Sequence, residues 1–374
     1  MMAIERTMPT TAFVTGGTGF LGKRLVPILL GMGMTVRCLV RENSNLSSLI
    51  QCIPESDRQR LTFVRGELDD SVAMEGHLAG IDVVYHLAAS LYGSADKMVE
   101  DTVGGTRGLL NAAAGANIQR VVLISSLGVY GTASLKPGET LDESVPIDPH
   151  PEWRDSYTLS KIRQEQVAWE IHERTQLPLV VIRPGVLYGP GRSLLSTRIG
   201  LRLGPILLQM GGDQRLPYCY VDNCAEAIAL AGIAPDINGQ VFNVIDDDLP
   251  TGNDILRTLR TSGNPVRSVR IPQWLIVPFS RAYAFGARVF GRQSSPLLTP
   301  YKSRSMWKPL HYSNARAKHS LNWCPKISSE EGIQRTIFGE QREFTSYVNN
   351  SVTNSLSASP EFSHAHPVCR HTVP

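Results

Sequence analysis

In the stretch SYTLSK, residues 156–161, Tyr157 and Lys161 stand one helical turn apart, where a polar run gives way to a helix-like pattern. A phenol with an unperturbed pKa of about 10 is a poor base at neutral pH, but an ammonium group held nearby favours its charged form and lowers that pKa. The pair therefore has the makings of a proton-transfer device. The same spacing also occurs on plain solvated helix faces. Its meaning depends on what the rest of the chain gathers around it.

A second constellation lies near the start. VTGGTGFLG sets Gly16, Gly19 and Gly22, with Phe20 and Leu21 between the last two, at G-x-x-G-x-x-G spacing directly after an apolar strand and at the opening of a helix. In that context backbone can approach a pyrophosphate closely, and the helix start offers unpaired N–H groups and a favourable dipole. The bland alternative is a glycine-rich turn without a ligand. The next strand ends CLVRENSN. Folds that prefer NAD commonly carry an acid there for the ribose 2′-hydroxyl, whereas arginine can accept the 2′-phosphate of NADP. Val40 fills the acid position and Arg41 follows, which tilts the choice to NADP, while Glu42 keeps NAD open.

Between residue 11 and about 185 short apolar runs alternate with amphipathic stretches. TAFVT, MTVRCLV, LTFVRG, IDVVYHLAA, RVVLISS and LPLVVIRPG read as six buried strands, β-branched, continuous and bounded by turn residues or charge. Helices are expected from Phe20 to Met32, with Pro27 as an irregularity, over VGGTRGLLNAAAGA, and from Tyr157 to Thr175. Such alternation implies an α/β fold with a doubly wound parallel sheet. Beyond Gly185, YGPGRSLLSTRIG is loop-like, and an apolar helix is expected to about Met210. YCYVDNCAEAIALAG and GQVFNVIDD are expected to return strands to the sheet. Thr251 with Asp254, and Ser328 with Glu331, have capping-box spacing. The expected division is a dinucleotide-binding core over residues 10–190, a mainly substrate-binding, discontinuous part over 191–344, and a Ser/Asn/Pro-rich disordered tail over 345–374.

Composition excludes several classes. The chain has 374 residues, 42% hydrophobic, and a formal charge of +3, with no basic block of the kind that tracks a phosphate backbone, so nucleic acid is not an expected partner. Cys38, Cys52, Cys219, Cys224, Cys324 and Cys369 lack paired spacing, which fits a reducing, cytoplasmic setting. No secretory signal is visible, and no run of about 20 apolar residues offers a membrane span. The apolar, aromatic stretch 271–291, with Arg281 and Arg288 interspersed, is read as an amphipathic helix packed on its own domain, with a membrane surface or a hydrophobic substrate as its other uses. His364, His366, Cys369 and His371 have metal-site composition but lie in the tail, and no metal is expected.

Together the glycine motif, HLAA after the fourth strand, SSLGVYG after the fifth, and Tyr157 with Lys161 resemble the extended short-chain dehydrogenase/reductase family, in the group of nucleotide-sugar epimerases, 3-beta-hydroxysteroid dehydrogenases and dihydroflavonol reductases. The resemblance covers roughly residues 11–345 and implies a Rossmann-type fold, an NAD(P)-dependent enzyme and a homodimer paired through four helices. It assigns Ser126, Tyr157 and Lys161 to the catalytic positions: the phenol exchanges a proton with the substrate oxygen, the serine hydrogen-bonds that oxygen, and the lysine holds the nicotinamide ribose and keeps the phenolate accessible. It also places Glu67 and Leu68 at the adenine, Leu87, Ala88 and Ala89 along the cofactor, and Arg183 and Pro184 beside the nicotinamide. The family's NVxGT reads TVGGT here, so Thr102 stands in place of the usual Asn.

The substrate stays open between two classes. Family dehydratases follow the serine position with an Asp-Glu pair, whereas Leu127 and Gly128 stand here, which disfavours dehydration. Arg215, seven residues before Asp222, matches the spacing of a diphosphate-binding arginine in nucleotide-sugar epimerases, where guanidinium suits phosphate. The apolar 271–291 stretch fits a lipid-like or polycyclic alcohol better. The expected function is therefore hydride transfer at a secondary alcohol or ketone of a nucleotide sugar or an apolar alcohol. A non-catalytic NAD(P)-sensing regulator on the same fold is the alternative.

Overall fold

A computed structural model of the chain describes residues 8–90, 94–210, 212–289 and 298–339. Continuous β-branched runs form β1 (Thr11–Thr15), β2 (Thr35–Val40), β3 (Leu61–Arg65), β4 (Val83–His86) and β5 (Arg120–Ile124). The short β6 (Thr140–Leu141) precedes β7 (Leu179–Pro184) and β8 (Val186–Tyr188). Further along lie β9 (Gly200–Leu203), β10 (Ile206–Gln209), β11 (Tyr218–Tyr220), β12 (Val241–Val244), β13 (Ser268–Arg270) and β14 (His311–Tyr312). Seven of these make one parallel sheet in the order β12-β7-β5-β4-β1-β2-β3. Strand order reverses on either side of β1, which opens a crevice at the carboxyl ends of the strands.

Helices cover both faces. On one side α1 (Gly22–Gly31) packs with Leu25, Val26 and Leu29 against Val14 and Val36 of the sheet. Pro27 lies inside α1 without ending it. After α2 (Ser47–Ile50), the other side carries α3 (Ser71–Leu78), α4 (Ala95–Gly115) and α5 (Ser156–Thr175), whose Met74, Leu109, Ala168 and Ile171 bury Phe13, Val84 and Val121. The glycines of TVGGTRG have a packing reason: a Cβ at Gly108 would come within 2.4 Å of the Leu68 carbonyl oxygen and one at Gly105 within 3.0 Å of the Leu68 side chain. The loop after β3 can therefore lie directly on α4.

Two expectations past residue 185 are corrected. The leucine-rich run to Met210 is no helix: β9 and β10 form an antiparallel hairpin, because Gly204 adopts a left-handed φ of 59° and Pro205 follows it, so the chain reverses instead of coiling. Strand β11 does not join the main sheet but pairs in parallel with β8 alone. Gly185 permits this departure, since a Cβ there would meet the Pro217 carbonyl oxygen at 2.1 Å. Only β12 of the later strands returns to the large sheet, beside β7. Strand β11 runs straight into α6 (Val221–Ile233), which shares the core with α1.

The remaining elements are α7 (Gly252–Thr261), α8 (Gln273–Val289), α9 (Pro300–Met306), α10 (Ala315–Leu321) and α11 (Ser329–Phe338). Thr251 and Asp254 form a reciprocal capping box at α7, and the Ser328 hydroxyl accepts the Glu331 N–H at α11. Cys38, Cys219 and Cys224 are free and buried. Among the described residues no group of three or more His, Cys, Asp or Glu could hold a metal, and no helix is long and apolar enough to cross a membrane. The tail from residue 345, with its histidines, lies outside the described residues.

Candidate active site

The glycine turn sits between β1 and α1. Gly16 has φ 73° and lies so close to the end of β4 that a Cβ would be 3.0 Å from the Ala88 nitrogen; a Cβ on Gly22 would lie 2.3 Å from the Gly16 carbonyl oxygen. Gly19 N–H closes the turn on that same oxygen at 3.0 Å. Helix α1 has no side-chain cap and no acid in its first turn. Among the described residues the N–H groups of Phe20 and Leu21 donate no hydrogen bond. A helix start of this kind leaves its donors and positive dipole end for an anion, so the turn fits a dinucleotide pyrophosphate. Leu87 and Ala88 are held alongside, their N–H groups donating to the Thr15 carbonyl and hydroxyl oxygens, both at 3.2 Å, and Ala89 follows.

At the end of β2, Val40 is buried and Arg41 is exposed, 3.8 Å from the Glu67 carboxylate. Glu42 is engaged elsewhere, its carbonyl and carboxylate both accepting from Arg65. The cation is thus the group presented at the strand end. Leu68, the residue after Glu67, lies on Gly105 of α4.

Ser126 follows β5. Its Oγ accepts the Gly128 N–H at 3.1 Å, and its hydroxyl lies near enough to the Tyr157 phenol to favour the phenolate. Asp155 caps α5 by accepting the Thr158 N–H at 3.0 Å and hydroxyl at 2.8 Å, which sets Tyr157 in the first turn of the helix. Tyr157 retains 37% of its surface exposed. Its hydroxyl end is crowded, and that burial raises the phenol pKa; the neighbouring Ser126 hydroxyl and the Arg192 cation pull the other way without prevailing. The expected lowering by Lys161 is therefore absent: the phenol is the protonated form at neutral pH.

Lys161 is fully buried. Its Nζ donates to the Ile124 carbonyl at 2.8 Å and to Gln164 Oε1 at 2.9 Å, and desolvation pushes its pKa down to about 8 against an opposing pull from Glu165. Behind it runs a buried polar chain. Gln164 Nε2 donates to Thr106 Oγ1 at 2.9 Å, and Thr106 donates its single hydroxyl proton to the Thr102 carbonyl at 2.7 Å. Thr106 therefore accepts from His86 Nε2, 2.8 Å away, which assigns the Nε2–H tautomer and leaves Nδ1 to accept from the Thr15 hydroxyl at 2.7 Å. Burial, then repulsion from Lys161, lowers the His86 pKa to about 3, so the ring is neutral. Thr102 itself accepts the Ser90 N–H at 3.1 Å, so the departure from the family's Asn still ties the end of β4 to α4.

Sequence reasoning missed His86, Thr106 and Gln164, although a histidine inside an otherwise apolar strand and a glutamine three residues past Lys161 were visible signals. It missed Glu165 as well, which forms a forked pair with Arg183, at 2.9 and 3.0 Å, beneath Pro184; the guanidinium also lies 4.4 Å over the Tyr130 ring. A third omission is Arg154, which donates to the Gly128 and Tyr130 carbonyls and to Asp148, and so holds the Ser126 loop. Asp148 accepts in turn from Tyr301 of α9, whose ring edges onto Trp153, itself stacked with His150. Arg192, after β8, lies 5.3 Å over the ring of Phe20 in the glycine turn. Arg215 does not enter this group by any contact described: it is exposed and donates to the Leu249 carbonyl at 2.7 Å.

The profile of the NAD dependent epimerase/dehydratase family matches residues 12–244. Cinnamoyl-CoA reductase 1 of Petunia hybrida is 35% identical over 243 residues, covering 61% of this chain and 70% of the relative. The 2-alkyl-3-oxoalkanoate reductase of Shewanella oneidensis is 26% identical over 346 residues, 87% of this chain and 84% of the relative. Among solved structures, UDP-glucuronic acid 4-epimerase of Bacillus cereus, in complex with UDP-glucuronic acid and NAD, superposes with a TM-score of 0.64 at 19% identity over 90% of this chain and all of that one, and shares the fold.

Proposed function

The chain belongs to the NAD dependent epimerase/dehydratase family, and on that premise we propose that it is an NAD(P)-dependent oxidoreductase acting on the carbonyl or secondary alcohol of an apolar small molecule. The observation that carries the reading is the Ser126 hydroxyl set beside the Tyr157 phenol at the carboxyl end of β5, with Lys161 one turn further along α5. The glycine turn, Arg41, Glu67, Leu68, Leu87, Ala88, Ala89, Lys161 and Pro184 would hold the cofactor, which supplies the hydride when bound. Ser126 Oγ would hydrogen-bond the substrate oxygen, and Tyr157 Oη would deliver its proton there. A phenol kept protonated by its surroundings has the form that donates to a carbonyl oxygen in the reducing direction, and its conjugate base the form that accepts the proton in the reverse. Gln164 and the His86 chain would hold Lys161 in place.

Support for a carbonyl substrate comes from two reductases among the relatives, and support for an apolar portion on it from the His150/Trp153/Tyr301 rings close to the start of α5. Arg215, engaged with Leu249, gives a nucleotide diphosphate less support. The cofactor reading leans to NADP on the exposed Arg41. The resemblance further suggests a homodimer paired through four helices and a cytoplasmic residence; light scattering of the purified chain tests the former.

Nicotinamide absorbance read against a panel of apolar ketones, acyl thioesters and nucleotide sugars tests the proposal, with chromatography to detect epimers. Turnover of a ketone or thioester with stoichiometric cofactor oxidation is expected. Conversion of a nucleotide sugar at constant absorbance would replace oxidoreduction with epimerisation. Tyr157→Phe is expected to lower kcat by a factor of about 10² to 10⁴; an unchanged rate would remove the phenol from the chemistry and revive the sensor alternative.

A further inference from the structure

Helix α8 is apolar on two opposite sides. Its inner side buries Ile276 and Ser280 and rests Tyr283 on a cluster with Met210, Leu298 and Trp307. Its outer side exposes Trp274, Pro278, Arg281, Ala282 and Phe285, spaced i, i+4, i+7, i+8 and i+11, which is a single helical stripe. Trp274 is 74% and Phe285 71% exposed. The small β9–β10–β13 sheet, which packs on α8, carries further uncovered apolar residues. Ile206 pairs with Leu203, and Leu208 pairs with both Leu201 and Val269, so alternation puts all five on one face. Leu201 and Leu208 pack with Ile276 and Tyr283 of α8, while Leu203, Ile206 and Val269 remain uncovered.

Charge in the same part of the chain is one-sided. From Ile255 to Ser329 there is no aspartate or glutamate but thirteen lysines and arginines, in a protein whose overall surplus is only three; Arg257, Arg270, Arg316, Lys318 and Lys326 pair with acids from outside this stretch. Arg267 and Arg281 make no ion pair with any described residue. Isolated exposed apolar residues need no explanation, but an aromatic and aliphatic patch studded with unpaired arginine does.

We propose that this face docks on an anionic lipid bilayer, with α8 lying in the headgroup plane. Trp and Phe favour the interface between headgroup and acyl chain, and basic residues free of neighbouring acids are drawn to anionic lipid. A helix of 17 residues interrupted by Pro278 and Arg281 lies on a membrane and does not cross it. A second copy is the poorer occupant, because two-fold pairing through this stripe would bring the unpaired Arg281 of each copy towards that of the other. The inference stands apart from the identity of the substrate, and its test does not read turnover of the proposed reaction.

The test is co-sedimentation of the full chain with vesicles of phosphatidylcholine alone or mixed with phosphatidylglycerol. Binding to the mixed vesicles, weakened by salt, is expected. Arg281→Glu should lower the partition coefficient by about an order of magnitude, since it removes one cation and adds an anion. The double change Trp274→Ser/Phe285→Ser should abolish binding while leaving the circular dichroism spectrum and thermal midpoint in place. Trp274→Phe should keep binding but lose quenching by brominated lipid, which locates the stripe against the bilayer. No binding, equal binding to neutral and anionic vesicles, or a fall in oligomer size as the effect of the double change would each overturn the proposal; the last would assign the face to a second copy.

Discussion

Replacing Lys161 with methionine separates what the buried ammonium does for chemistry from what it does to the fold. Desolvation pushes its pKa from an ordinary 10.5 to about 8. At 1.36 kcal/mol per pH unit, that displacement corresponds to a handicap of about 3 kcal/mol on the folded state. The folded protein releases this proton at lower pH than the unfolded chain does. The handicap is therefore fully present below about pH 8 and fades as pH climbs towards 10.5. Lys161→Met removes it but leaves the Ile124 carbonyl and Gln164 Oε1 without their donor, an opposing loss of about 1–3 kcal/mol for each group left unpaired. Near pH 7 the two effects offset each other, so wild type and variant should have similar stability. By pH 10 most of the handicap has gone from the wild type, which should then exceed the variant by about 2 kcal/mol or more. Urea unfolding of both proteins at pH 7 and pH 10 measures this, and titrations common to the two cancel in the difference. A stability difference that stays the same at both pH values would refute the claim that Lys161 is held against its own hydration.

Two further outcomes follow from the site. Arg41→Ala should raise KM for NADP by about tenfold, the loss of one charge-assisted contact, with little change for NAD; steady-state kinetics with each cofactor decide, and an equal effect on both would remove Arg41 from the 2′-position. Glu165→Leu should destabilise the protein by about 3–5 kcal/mol, because it strands the buried Arg183 guanidinium; adding Arg183→Met should recover much of that loss in thermal or urea unfolding, and failure to recover would mean that Glu165 acts through something other than the pair.

The parallel sheet was legible because β-branched, unbroken apolar runs have few other uses, and the glycine turn because its spacing fell between a strand and a helix. Ser126, Tyr157 and Lys161 were named from their motifs as the proposed catalytic set, and the structure sets Ser126 near the phenol. What escaped was whatever depends on the partner across the fold. Leucines before and after Gly204–Pro205 suit a helix as well as a hairpin, and only the reversal at Gly204 decides between them. The pKa of Tyr157 could not be read from its distance to Lys161 along the helix, because Lys161 spends its donors on Ile124 and Gln164 while the phenol feels mainly its own burial. His86, Thr106 and Gln164 come from three separate elements, and nothing in the local pattern announces that they meet.

Strand β12 lends the molecule a dependence that chain order conceals. All six residues of β7 are buried, and their outer neighbour in the sheet is supplied from sixty positions downstream, at Val241–Val244. A fragment ending near residue 190 would keep every residue named for the hydride step yet present β7 as a raw, greasy border ready to zip onto any passing strand. The nucleotide-binding half is thus sealed by its own far segment, and cutting the gene at the apparent midpoint should yield inclusion bodies, not a working module.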